Sequence, residues 1–66
     1  MEKYYMNLSE KDFKHEIRFL DYEELLNLER AMNINYRNYD ITLVLDRINL
    51  IGEELVRCLE EEHEVW

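Results

Sequence analysis

The sequence predicts an all-α fold: a short N-terminal helix followed by a helical hairpin, three helices in all, the last long and carrying a heptad-like seam. Three observations predict it. The 66 residues include no Pro and a single Gly, Gly52, which leaves few of the turn signals that closely spaced strands need. Helix-start signatures stand at Ser9 and Asp21, each followed by apolar residues at helical spacing. From Ile41 to Cys58 apolar residues recur at alternating intervals of three and four.

Ser9 reads as an N-cap, because its hydroxyl can accept from the backbone N–H of Asp12 while Leu8 packs on Phe13 as a hydrophobic staple. The first helix then runs from about Glu10 to Phe19, with Phe13, Ile17 and Leu20 on one face. Asp21 and Glu24 form a D-x-x-E capping box, with Leu20 able to staple onto Leu25. The second helix carries Leu25, Leu28 and Met32 on its stripe, widened by Tyr22, Leu26 and Ala31. Asparagines then cluster at Asn33, Asn35 and Asn38. Since Asn tolerates the left-handed conformation, a tight turn is expected near Asn33 to Asn35. Two restarts are open: Asn35 would start the third helix at Tyr36, and Asp40, with Tyr39 stapling onto Val44, would start it at Ile41.

The third helix places Ile41, Val44, Ile48, Ile51, Leu55 and Cys58 at the a and d positions of a heptad. Leu45 and Leu59 widen the seam on one side, whereas Leu43 and Leu50 point toward another face. Two apolar surfaces on one helix ask for more partners than one hairpin arm supplies. A domain this small buries only about 60% of the surface its unfolded chain exposes. A homodimer through Ile41, Val44, Ile48, Ile51 and Leu55 is therefore the favoured expectation, with a monomeric three-helix bundle as its alternative.

Residues 1–66 are expected to form one domain, fraying at 1–8 and 61–66. At 47% hydrophobic the chain is too apolar for disorder despite a net charge of −8. That charge argues against direct binding to nucleic acid or to anionic lipid. The stretch from Ile41 to Ile51 is broken by Asp46, Arg47 and Asn49, so no membrane span is expected. One cysteine and no signal-peptide pattern point to a reducing, cytoplasmic setting.

No catalytic or metal constellation is visible, and no cofactor is expected. Cys58 and His63, five residues apart, fall on different helix faces; Cys58 reads as a core thiol, His63 as a solvated helix end and His15 as surface. There is no Gly-rich phosphate loop, and Ser9, the only serine, is taken by its cap. Two features suggest binding. Tyr36 and Tyr39, with Tyr4 and Tyr5, offer amphipathic area suited either to a core rim or to a partner. Glu53, Glu54, Glu60, Glu61 and Glu64 form an acidic ridge off the seam, opposed to the helix macrodipole. The ridge reads either as a solubilising face or as a row of carboxylates imitating the phosphates of a nucleic acid for a basic protein.

Leu20, Asp21, Glu24, Leu25, Leu26 and Ala31, followed by an Asn-Ile-Asn turn and Ile41, resemble the helical-hairpin inhibitors of sporulation histidine kinases. The likeness covers about half the chain and consists of capping and leucine spacing common to helical hairpins, so it assigns no family. It implies a hairpin that acts by docking on a larger protein. The expected function is thus a small acidic regulator or inhibitor that binds a protein, one with a basic surface among the candidates, and catalyses nothing. A nucleic-acid mimic, of the kind a virus or mobile element would aim at host machinery, and a structural oligomerisation unit are the alternatives.

Overall fold

The computed structural model describes residues 2–64, with side chains placed as far as residue 61. Four α-helices follow one another: α1 (Glu2–Met6), α2 (Glu10–Ile17), α3 (Tyr22–Ile34) and α4 (Ile41–Glu64), with a single 3-10 turn at Tyr36–Asn38 before α4. No strand occurs among the described residues. The fold is all-α, with one helix more than the sequence predicts.

Local chemistry accounts for each helix start. The Ser9 hydroxyl accepts from Asp12 N–H at 3.2 Å, and extended backbone at Ser9 (φ −63°, ψ 162°) sets the entry into α2. At α3 both halves of the capping box close: Asp21 Oδ1 accepts from Glu24 N–H at 2.8 Å, and Glu24 Oε1 accepts from Asp21 N–H at 3.2 Å. Asp21→Ala is expected to lower the urea midpoint by an amount equivalent to about 0.5 to 2 kcal/mol, with the unfolding slope unchanged. Asp40 begins α4 by accepting from Thr42 N–H at 2.8 Å, so of the two possible restarts the long helix takes the later one and the earlier becomes the 3-10 turn.

Two boundaries differ from expectation. The first predicted helix stops at Ile17 rather than Phe19, because Phe19 N–H and Leu20 N–H turn back onto Glu16 O and Ile17 O in tight i→i−3 bonds that deliver the chain to the Asp21 cap. The turn after α3 uses no left-handed residue: no described non-glycine residue has positive φ, and Asn35 sits at φ −104°, ψ 16°. Instead the Asn35 side-chain amide donates to Ala31 O at 3.1 Å and to Glu2 Oε1 at 2.7 Å. The second bond ties α1 to the end of α3. Residues 2–6, expected to fray, are helical with Met6 buried.

Helices α3 and α4 form the hairpin, α2 lies against α4, and α1 against α3. Their shared core is Met6, Phe13, Ile17, Leu25, Leu28, Met32, Val44, Leu50 and Ile51. At 1.5 Å per residue the 24-residue α4 is about 36 Å long, which accounts for most of the 42 Å long axis of the molecule. It outruns the 13-residue α3 by 11 residues. Gly52 lies in the middle of α4, where glycine costs about 1 kcal/mol relative to alanine. Nothing in the chain requires it, since a Cβ built there meets no atom within 4 Å.

Candidate functional site

The seam expected to face a second copy is largely turned inward. Val44 and Ile51 are fully buried in the chain's own core, Ile48 and Leu55 pack half-buried beside it, and only Ile41 is exposed, at 52%. Leu50, assigned by spacing to another face, is buried as well. The inward face is therefore displaced around the helix from the heptad seam, toward Leu50 and Arg47. What the displacement exposes is a different stripe: Leu45, Val56 and Leu59 are 56%, 54% and 45% exposed.

Arg47 explains part of the displacement. Spacing places it with Glu54 and Glu61 on the polar flank, yet only 7% of its side chain is exposed. Its guanidinium lies over the Phe13 ring at 5.3 Å, Nη1 donates to Asp46 Oδ2 at 2.8 Å and Nη2 reaches the Leu8 carbonyl at 3.5 Å. Nε has no partner. The residue pins the α1–α2 turn and the face of Phe13 onto α4 by packing, cation–π attraction and two polar contacts.

The acidic ridge divides. Arg57 donates from Nε to Glu54 and from Nη1 to Glu61, the latter at 2.6 Å, while Arg18, the C-cap residue just past α2, lies 3.7 Å from Glu54. Glu54, with 13% of its side chain exposed, is thus an internal ion-pair partner rather than a free carboxylate, and Glu54 first and Glu61 second hold the Arg57 guanidinium above its ordinary pKa. Glu53 and Glu60 remain exposed. The side chains of Glu64 and His63 lie outside the described residues.

The tyrosines are also separated. Tyr36 is 38% exposed and carries the Arg37 guanidinium 5.8 Å from its ring centroid, whereas Tyr39 is half-buried against the core. Tyr5 meets Phe13 edge to face at 6.3 Å; burial, with Glu16, Tyr4 and Glu24 nearby, pushes its phenol up and keeps it neutral. These rings mainly shield the core rim. Cys58 is a free, half-buried thiol beside the core, and His15 is exposed, its ring 5.2 Å edge to face from Phe19.

Outside α4 an exposed apolar surface, besides Ile34 at 77%, lies at the α2–α3 corner, which spacing did not single out. Phe19 is 75% and Tyr22 40% exposed, at either end of the turn that the Asp21 capping box rigidifies. An open depression of about 570 Å³ is lined there by Asp21, Tyr22, Glu23 and Leu26. The readable signal was that Phe19 falls off the Phe13, Ile17, Leu20 face. Between α2 and α4 a smaller hollow of about 180 Å³ is lined by Lys14, Ile17, Arg18, Leu50, Glu53 and Glu54, below the few hundred Å³ typical of small-molecule sites. Among the described residues no group of three His, Cys, Asp or Glu could hold a metal ion, and no helix is long and apolar enough to cross a membrane. Comparison with known protein families, characterised proteins and solved structures finds no match to this chain.

Proposed function

We propose that this chain is a small acidic regulator or inhibitor that works as a homodimer by docking on a larger cytoplasmic protein, and that the α2–α3 corner makes the contact. The observation that carries the reading is Phe19, 75% exposed beside a rigidly capped turn. Large aromatic side chains held on a fixed backbone supply contact area at little entropic cost, which is why they anchor protein interfaces. Asp21 and Glu23 border the depression, and with a net charge of −8 they favour a partner whose rim is basic.

The runner-up, a nucleic-acid mimic, draws on exposed Asp46, Glu53 and Glu60, which recur every seven residues along α4. It is the weaker reading because Arg57 engages Glu54 and Glu61, thinning the row of free carboxylates. The test is affinity capture from the native host with wild type and with Phe19→Ser combined with Tyr22→Ser. Both side chains are exposed, so the double variant should fold and yet lose the captured protein by tenfold or more. Undiminished capture by the double variant, together with loss on reversing Glu53 and Glu60 to Lys, would replace docking at the corner by mimicry.

A further inference from the structure

We infer that α4 is also a self-association face, on which a second copy of this chain packs antiparallel with its two-fold axis at Gly52. Three observations carry the inference. The apolar stripe is symmetric about Gly52: exposed Leu45 and Leu59 lie seven residues to either side, half-buried Ile48 and exposed Val56 four. An isologous contact needs a surface complementary to itself. Antiparallel pairing about this point sets Leu45 against Leu59 of the second copy and Ile48 against its Val56. At the centre stands a glycine whose missing side chain the monomer leaves unused, with nothing within 4 Å of a built Cβ. Two helices crossing there can approach backbone to backbone.

Charge selects the antiparallel sense. The carboxylates of α4 gather in its C-terminal half, at Glu53, Glu54, Glu60 and Glu61. A parallel pair would bring both acidic ends together and align the two macrodipoles. The antiparallel pair separates them and places Glu60 level with the first turn of the other α4, where the positive end of its dipole lies. Half-exposed aliphatic side chains offer on the order of 100 Å² each, so Leu45, Val56 and Leu59 from both copies supply about 600 Å² of apolar centre, and half-buried Ile48 and Leu55 with the polar residues flanking the stripe extend it toward the roughly 1,000 Å² of a specific interface. This stripe is distinct from the α2–α3 corner: its failure would remove the homodimer from the proposed function and leave docking at the corner intact.

Single-cysteine chains decide the geometry. In the full-length Cys58→Ala background, with helical circular dichroism matching wild type, Leu45→Cys and Leu59→Cys chains are oxidised separately and mixed. The two positions are about 21 Å apart along the helix, so the mixture is expected to yield a disulfide-linked dimer and each chain alone to yield none. Self-linked Leu45→Cys would overturn the antiparallel arrangement. Gly52→Leu, which fits the open space and favours the helix, is expected to stay folded and to weaken association at least tenfold by sedimentation equilibrium; unchanged association would exclude close approach at Gly52. A wild-type chain that sediments as a monomer up to millimolar concentration would overturn the proposal altogether.

Discussion

Phe13→Ala is expected to lower the thermal midpoint of the protein by roughly 12 °C or more. Phe13 has no exposed surface and touches three parts of the fold: the Tyr5 ring of α1, the Arg47 guanidinium of α4 and the shared core. Truncating a fully buried phenylalanine costs about 3 to 5 kcal/mol. A domain of 66 residues has a total stability of only about 3 to 10 kcal/mol. The loss therefore takes about 30% of the stability at least, and in the lower part of that range all of it. Thermal unfolding followed at 222 nm is the measurement; a midpoint lowered by only a degree or two would mean that the α2–α4 packing contributes little.

Arg47→Ala comes next, with an expected loss of about 2 to 4 kcal/mol, whereas Arg47→Met should be neutral or stabilising. Alanine removes the aliphatic stem that covers Phe13 and frees the Leu8 carbonyl, leaving a cavity. Methionine refills the volume and removes a guanidinium whose Nε is buried without a partner. Buried charges are replaced by apolar isosteres at little cost when their desolvation outweighs their contacts. Denaturant melts of the two variants check the pair of effects. Equal destabilisation by both would show that the polar contacts to Asp46 and Leu8 dominate over the packing.

The parts of the fold legible in the sequence are those decided within one helical turn. The caps at Ser9, Asp21 and Asp40 each need only a side chain and a backbone N–H two or three residues on, so spacing suffices to find them. The elements missed depend on distant partners. Helix α1 is five residues long, too short to persist alone, and it is held by the Glu2 contact to Asn35 and by burial of Met6. Arg47 is invisible to patterning because a charged side chain reads as solvent-facing; its burial is made tolerable by the Phe13 ring and the Leu8 carbonyl from elsewhere in the chain, with Asp46 beside it. That inversion accounts for part of the rotation of the inward face of α4. Leu50 joins the core, while Leu45 and Leu59 become surface. At the site the carboxylates of the acidic ridge were plain and Arg57, three residues after Glu54 and four before Glu61, stands at pairing distance by spacing, whereas the approach of Arg18 to Glu54 follows from the packing of distant segments.

The central claim, that the chain acts by docking an aromatic surface rather than by imitating nucleic acid, is tested most directly by the salt dependence of binding to the captured partner. Rim carboxylates such as Asp21 and Glu23 steer association and are screened, since the Debye length falls from about 10 Å at 0.1 M salt to about 3 Å at 1 M. The apolar contact of Phe19 is not screened. Affinity is therefore expected to change by less than about tenfold between 50 and 200 mM salt, through the association rate, with duplex DNA failing to displace the chain. A loss of about a thousandfold over the same range, the size expected when many basic contacts to a phosphate-like track are broken, with displacement by DNA, would contradict it.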